Sequence, residues 1–297
     1  MKPDDCTLPA ESQREVIKAA DLLLRKADAV GRFPTPVADL VSAANLEISR
    51  ESALARIGLD NFYRRLPNAM KLTPDAFKKA ASKVLGLLHR QDRMIHLDPA
   101  LHPKRRTYVT VHEIGHEFLP HQRTTFKILE DSDVELDSET QDLYEREANV
   151  FASEVLFQGR RFTVEAADHS ISIKVAIDLS KRYGPSVYSS ARRYVSTHRQ
   201  PCALIVFNRP VELIGIGKAI TVRRIVLSPA FHQRFGNLSL MDTWSEGTFF
   251  YKHRPRNKFT PPVSCSIVDV NGDKQQCVAE AFDTTHQILF LIHSPAE

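Results

Sequence analysis

The sequence predicts an α+β protein, in which a mainly helical part (residues 1–199) precedes a β-rich part (residues 200–297). In the first part, apolar residues recur at helical spacing in segments that end at proline or glycine. In the second part, short runs of β-branched and aromatic residues alternate with turn residues. The composition, with 42% apolar and 26% charged residues, is that of a globular protein.

Scaffold elements are predicted for the first hundred residues. The apolar spacing predicts helices at residues 11–29 and 36–44. A third helix is predicted at residues 74–90, because proline suits the first turn of a helix. Residues 93–97 alternate weakly between apolar and polar side chains, which predicts an edge strand. An edge strand next to a catalytic centre can pair with an extended peptide substrate.

Residues 112–116 read His-Glu-Ile-Gly-His, the H-E-x-x-H pattern, and residues 104–119 around them have the apolar spacing of a helix. Residues four apart lie on the same face of a helix, so His112 and His116 present two imidazoles to one metal ion. Glu113 lies beside them, where its carboxylate can act as a general base toward water. The pattern predicts a zinc site with a hydrolytic function.

The segment that follows is predicted to contain a loop and a long helix. Pro120 is read as the end of the helix that carries the motif, and residues 122–137 as a polar, acidic loop. A capping box at the start of residues 138–157 predicts a helix over that range, and Gly159 is its expected stop.

Residues 171–198 are predicted to form two short helices on either side of a turn at residues 183–185, a helix-turn-helix pattern. Arg192 and Arg193 favour a DNA-binding role for this pattern. The preferred interpretation is a small helical cap on the preceding domain, with direct DNA binding as the alternative.

The last hundred residues contain no catalytic constellation, which predicts a sensing, binding or regulatory module. A hairpin turn at residues 271–272 would place Cys277 opposite Ser266, not Cys265, so free thiols are expected here. The predicted strands are residues 203–207, 211–216, 220–227, 248–251, 263–270, 275–282 and 287–292.

A catalytic zinc ion takes three protein ligands and keeps one position for water. The three-histidine form of the motif is absent, because Leu119 and Gln122 stand where its glycine and its third histidine would be. The predicted helix at 138–157 offers two carboxylates instead, Glu145 and Glu147.

Residues 145–152 read Glu-Arg-Glu-Ala-Asn-Val-Phe-Ala, and together with the H-E-x-x-H stretch they resemble the ImmA/IrrE family of metallo-endopeptidases, which shows E-x-x-A-N-x-F-A in a helix. The resemblance covers about residues 75–198. It implies that Glu145 is the third metal ligand, with Glu147 as the fallback. Asn149 lies one turn after Glu145 on the same face, where it can orient a metal-binding histidine.

The resemblance also implies the organisation of the chain. We expect a zincin-like metallopeptidase domain with a small sheet at residues 1–160, a helical cap at 161–199 and a β-rich regulatory or sensor-like domain at 200–297. Longer family members carry a C-terminal domain similar to GAF domains, so the β-rich domain is expected to be GAF-like and to bind a small-molecule effector.

The predicted reaction is zinc-dependent hydrolysis of a peptide bond. The two histidines and Glu145 hold Zn²⁺, while Glu113 takes a proton from water and delivers it to the leaving amine. A further group must stabilise the oxyanion, and Tyr144, His121 and His169 are the candidates.

The resemblance implies a narrow protein substrate, a helix-turn-helix transcriptional repressor that is cleaved in a stress or mobile-element response. A cytoplasmic location without a membrane partner is expected, because the sequence has no apolar run of bilayer length and no signal-peptide h-region. The net charge of +4 does not by itself indicate a nucleic-acid partner. The alternative function is a DNA-binding regulator or a toxin–antitoxin component with a peptidase-like fold.

Overall fold

The computed structural model describes residues 7–49, 86–89, 93–98, 100–130 and 136–295. The chain forms two compact units: Met1–Gly159 with Tyr183–Pro185, and Arg160–Arg182 with Ser186–Glu297. Helices dominate the first unit and a large antiparallel sheet the second, so the predicted α+β class is confirmed. Within the described ranges, no helix is both long enough and apolar enough to cross a membrane.

The first unit combines helices with a small sheet. Its strands β1 (Glu47–Ile48), β2 (Gly86–His89) and β3 (Met94–Leu97) lie in the order β1-β3-β2, with β3 parallel to β1 and antiparallel to β2. Its helices are α1 (Ala10–Lys26), α2 (Val37–Ala43), α3 (Pro103–Phe118), α4 (Pro120–Glu130) and α5 (Ser138–Phe157).

Three local predictions for this unit are wrong. The edge strand predicted at residues 93–97 is the central strand, because β1 and β2 pair with its two sides. The helix predicted at 74–90 does not reach its proposed end, where β2 lies, and residues 74–85 are outside the described residues. The first half of the loop predicted at 122–137 is helix α4: the motif helix α3 does end before Pro120, at Phe118, but Pro120 then opens the first turn of a new helix.

The long helix α5 agrees with its prediction except in its cap. Asp137, not Ser138, is the N-cap residue, and its Oδ1 accepts hydrogen bonds from the backbone N–H groups of Glu139 (3.0 Å) and Thr140 (2.9 Å). The helix ends at Phe157, and the C-cap residue Gln158 adopts a left-handed conformation with φ 49°. Both ends of the helix are therefore fixed by local interactions.

Helices α3 and α5 approach each other closely at Gly115. A methyl group at Gly115 would lie 3.1 Å from Cδ1 of Phe151 and 3.4 Å from Cα of Ala148, which is tighter than ordinary packing. Ala148 and Phe151 are fully buried in the core of this unit, as is Ala152. The small residues at this contact bring the two helix backbones together, and with them the side chains that follow below.

The second unit is built on a sheet in the order β5-β6-β4-β10-β9-β8, with β7 paired to β6 and antiparallel pairing throughout. Its strands are β4 (Cys202–Asn208), β5 (Val211–Leu213), β6 (Gly217–Leu227), β7 (Thr243–Ser245), β8 (Phe259–Val268), β9 (Lys274–Asp283) and β10 (Gln287–His293). Its helices are α6 (Arg160–Ala167), α7 (Ile173–Tyr183, whose last residue groups with the first unit), α8 (Val187–Thr197), α9 (Pro229–Phe235) and α10 (Phe249–Lys252).

The register of the β8–β9 hairpin differs from its prediction. Cys265 lies directly opposite Cys277, because the connection spans residues 269–273 and not a two-residue turn. Asp269 closes this longer loop, since its Oδ1 accepts hydrogen bonds from the backbone of Asn271 and Asp273. Both cysteines are free thiols, as expected from the sequence.

Candidate metal centre

The two histidines of the H-E-x-x-H stretch and one carboxylate of α5 converge on one point. The Nε2 atoms of His112 and His116 are 3.1 Å apart. Glu145 places one carboxylate oxygen 3.4 Å from Nε2 of His112 and the other 3.5 Å from Nε2 of His116. In the described part of the chain, these three residues form the group whose potential ligand atoms all lie within 4.8 Å of one another.

The spacing of these atoms fits a zinc ion. Tetrahedral zinc with bonds of about 2.0–2.2 Å to nitrogen and oxygen separates its ligand atoms by roughly 3.3–3.6 Å. The three separations, 3.1, 3.4 and 3.5 Å, lie close to that range. Two imidazole nitrogens with one carboxylate are also a donor set found in catalytic zinc sites, which keep one position open.

Charge interactions couple Glu145 to the two histidines. Burial by itself raises the pKa of Glu145 and lowers that of His112, because each charged form loses water. The contact with His112 and the charge of His116 outweigh burial in Glu145, so the pKa of Glu145 lies below its usual value, and the contact with Glu145 likewise outweighs burial in His112, whose pKa lies above its usual value. The negative charge of Glu113, the next residue along α3, also raises the pKa of His112.

His116 is held on the side of its ring that faces away from the centre. Its Nδ1 lies 2.7 Å from Oε1 of Gln122, which is fully buried in the first turn of α4. This contact was not predicted from the sequence, because residues 122–137 have the polar, acidic composition of a loop. Reading Pro120 as the first residue of a helix would have placed Gln122 within one turn of the end of α3.

Glu147, the fallback ligand, has different partners. Its side chain is 3% exposed, and its Oε2 lies 2.6 Å from Nε2 of His121 and 2.7 Å from Nε2 of Gln122. Burial raises the pKa of Glu147, but these two hydrogen bonds outweigh it and bring the pKa below the usual value. The hydrogen bond to Glu147 in turn raises the pKa of His121.

The remaining predicted site residues also have internal partners. The Tyr144 hydroxyl lies 2.9 Å from Oγ1 of Thr125. Oδ1 of Asn149 accepts a hydrogen bond of 2.7 Å from the hydroxyl of Tyr108. Asn149 lies near enough to His112 to favour its protonated form, yet Nδ1 of His112 has no hydrogen-bond partner at ordinary distance among the described residues.

The predicted helix-turn-helix pattern corresponds to α7 and α8 of the second unit. The guanidinium group of Arg192, which favoured DNA binding in the sequence, lies 5.5 Å from the ring centroid of Tyr188, and Arg223 lies at the same distance from this ring. His169, a candidate oxyanion donor, is an exposed residue of this unit. These contacts explain the cationic and aromatic side chains through interactions inside the unit.

Comparisons with known proteins bear on the segment that contains the candidate metal centre. The family model of peptidase M78, described as the IrrE N-terminal-like domain, matches residues 70–194. No curated protein matches the chain. A solved structure described as a Mycobacterium tuberculosis transcriptional regulator is similar, with 14% sequence identity and a TM-score of 0.41, over 94% of this chain and 81% of that chain.

Proposed function

Residues 70–194 belong to the IrrE N-terminal-like family of M78 peptidases, and from this premise we propose that the chain is a zinc-dependent endopeptidase. The resemblance to the ImmA/IrrE family, first seen in two short motifs, is thereby confirmed. The observation that carries the proposal is the convergence of potential ligand atoms of His112, His116 and Glu145 within 4.8 Å, with Glu113 directly after His112 on its helix.

In this proposal the two histidines and Glu145 hold the metal. A bound zinc ion supplies a Lewis acid, which polarises a carbonyl group and lowers the pKa of water. Glu113 is the general base, which takes the proton of the attacking water and passes it to the leaving amine. The closest catalytic template is the H-E-x-x-H helix of zinc peptidases, in which the glutamate has this role.

Stabilisation of the oxyanion is assigned to the side chains around α5. Tyr144 and His121 stay the predicted donors, and each would have to exchange its present partner, Thr125 or Glu147, for the substrate. Asn149 is proposed to support His112, and the hydroxyl of Tyr108 holds its amide oxygen in place.

The substrate class follows from the family resemblance. We propose that the enzyme cleaves a helix-turn-helix transcriptional repressor at one site, and that the zincin-like residues 1–160 and the cap at 161–199 form the catalytic part. The β-rich residues 200–297 are proposed to be a GAF-like regulatory domain, where a small-molecule effector would control cleavage. Such a reaction requires the enzyme and its repressor to share the cytoplasm.

The function is tested with purified wild-type protein and the Glu113→Gln variant. Bound zinc is measured first, and each protein is then incubated with candidate repressors encoded near its gene. We expect wild type to cleave one repressor at one position, and Glu113→Gln to retain zinc but lose cleavage by about 100-fold or more, the contribution of a general base. Glu117→Gln is the matched control, since this buried carboxylate on the same helix pairs with Arg93 and should leave cleavage intact.

Two results would contradict the proposal. Wild-type protein that binds no zinc would remove the metal centre. Tight, sequence-specific DNA binding without cleavage by either protein would favour the alternative, a DNA-binding regulator with a peptidase-like fold.

A further inference from the structure

Resting on the proposed zinc site, a further inference concerns the residues that hold its second histidine. We propose that Gln122 and Glu147 are positioning residues, which fix the tautomer and the ring orientation of His116 for metal binding. Gln122 stands six residues after His116, where the three-histidine form of the motif would supply a ligand. In this chain the same position supports a ligand from the opposite side of its ring.

The orientation of the Gln122 amide is determined by its neighbours. Its Nε2 lies 2.7 Å from the Glu147 carboxylate and 3.2 Å from the backbone carbonyl of Tyr144. Both of these groups are acceptors, so the two N–H bonds of the amide must point at them. The amide oxygen is therefore the atom that faces His116, at 2.7 Å from Nδ1.

The state of His116 follows from that orientation. An amide oxygen accepts hydrogen bonds and cannot donate them, so Nδ1 of His116 must carry the proton and donate it to Gln122. In the neutral ring the lone pair then lies on Nε2. Nε2 is the atom that faces His112 at 3.1 Å and Glu145 at 3.5 Å. The hydrogen bond to Gln122 thus directs the free lone pair of His116 into the metal centre.

Glu147 fixes the position of the Gln122 amide by accepting its hydrogen bond. Nε2 of His121 lies 2.6 Å from the carboxylate of Glu147, and both Glu147 and Gln122 are buried. The chain of contacts joins helices α3, α4 and α5, so the ring of His116 is fixed relative to the helix that carries Glu145. His112 differs, because its Nδ1 has no comparable partner in the part of the chain that the structure describes.

The test compares metal affinities of the full-length protein. Zinc affinity is measured by competition with a chromophoric chelator, and the visible absorption spectrum of bound Co²⁺ reports on the geometry of the ligands. We expect Gln122→Leu to bind zinc about 10- to 100-fold more weakly than wild type, the usual effect of losing a partner of a metal-binding histidine, and to change the Co²⁺ spectrum.

Gln158→Leu is the matched control. Gln158 is also a buried glutamine of the first unit, and its Nε2 donates to the backbone carbonyls of Ala29 and Arg32. It lies roughly 20 Å along α5 from Glu145, at about 1.5 Å per residue. This control should lose stability toward urea while it keeps wild-type zinc affinity and the wild-type Co²⁺ spectrum.

Exchanging the amide and the carboxylate between positions 122 and 147 tests the contacts from His116 through Gln122 to Glu147 independently of the leucine variant. Gln122→Glu alone places two carboxylates against each other and should weaken zinc binding at least as much as Gln122→Leu. The double variant Gln122→Glu/Glu147→Gln restores a donor between the two positions, because the new amide can donate to the carboxylate at 122 and accept from His121. We expect the double variant to recover zinc affinity to within about 10-fold of wild type.

The outcomes separate this inference from the proposed function. If the wild-type protein does not bind zinc, the proposed metal centre is wrong. Wild-type affinity in Gln122→Leu, or in Gln122→Glu if the leucine variant does not fold, would overturn the positioning role and leave the metal centre standing. An equal loss of affinity in Gln122→Leu and Gln158→Leu, or no recovery in the double variant, would likewise reduce the role of Gln122 to stability of the fold.

Discussion

Glu145 and Glu147 are two residues apart on α5, so their side chains point about 200° apart around the helix. In the folded chain the two carboxylates therefore contact different residues. Glu145 faces the two histidines of α3, whereas Glu147 faces His121 and Gln122. One carboxylate is thus available to a metal ion, and the other holds the residues behind the site.

Alanine substitutions distinguish these two roles. We expect Glu145→Ala to weaken zinc binding by more than about 100-fold, because it removes a direct ligand, and Glu147→Ala to weaken it by at most about 100-fold, because it removes an outer partner. Zinc titration with a competing chelator measures both values. Glu154→Ala on the same helix serves as the control with wild-type affinity, and a larger loss for Glu147→Ala than for Glu145→Ala would make Glu147 the ligand.

At the scale of elements, the contact between α3 and α5 sets the distance between the histidines and Glu145. The two histidines are local to one helix, but Glu145 reaches them because Gly115 permits a close approach at Ala148 and Phe151. The H-E-x-x-H pattern does not specify which residues occupy its two x positions. In this chain the second of them is Gly115, the residue at the contact between the helices. The glycine therefore has a packing function one residue before a proposed ligand.

The Gly115→Leu variant tests this packing. A larger side chain at a tight contact costs about 1–3 kcal/mol of unfolding free energy, offset in part by the better helix propensity of leucine, roughly 1 kcal/mol. We expect a net loss of stability and, because α5 is displaced, weaker zinc binding. Urea unfolding and zinc competition measure the two effects. Arg105→Leu at an exposed position of α3 should change neither, and unchanged zinc affinity in Gly115→Leu would contradict the packing argument.

At the scale of the whole molecule, stability depends on carboxylates that accept hydrogen bonds. Burial raises the pKa of Glu280, but the nearby His293 ring, whose Nε2 lies 3.5 Å from the carboxylate, and hydrogen bonds from the Ile173 backbone N–H and the Ser172 hydroxyl outweigh it, so the pKa lies below its usual value. A lowered pKa in the folded state stabilises the protein above the pKa of the unfolded chain, and this contribution is lost as the pH falls through the folded value. Lowered pKa values are also found for Asp137, Glu145, Glu147 and Asp269.

Acid should therefore destabilise the chain, and Glu280→Gln should remove part of this pH dependence. We expect the variant to lose about 1.5–3 kcal/mol of unfolding free energy near neutral pH, the range for hydrogen bonds to a charged group. The difference from wild type should shrink as the pH falls below about 4, where the unfolded carboxyl group is protonated. Urea unfolding at several pH values measures this difference in unfolding free energy. Glu212→Gln, at an exposed position, is the control. A difference between wild type and Glu280→Gln that is constant with pH would refute this account.

The sequence by itself determined the features that depend on local periodicity. His112 and His116 share a face because residues four apart on a helix always do, and the α+β class follows from segments that alternate with different periods. The resemblance of residues 70–194 to the IrrE-type peptidases was also readable from the sequence, since its two motifs lie within helices that form as predicted. These inferences needed no knowledge of which segments meet in space.

Tertiary structure alone decided the features that depend on contacts between segments distant in sequence. The central position of β3 depends on its pairing with β1 and β2. The pairing of Cys265 with Cys277 depends on a five-residue loop that Asp269 closes. The role of Gln122 depends on helices α3 and α5 at once, because its amide has one orientation only when His116 and Glu147 lie on opposite sides of it. A single sequence carries no measure of such distances, since hydrogen-bond partners are chosen by proximity in the folded chain.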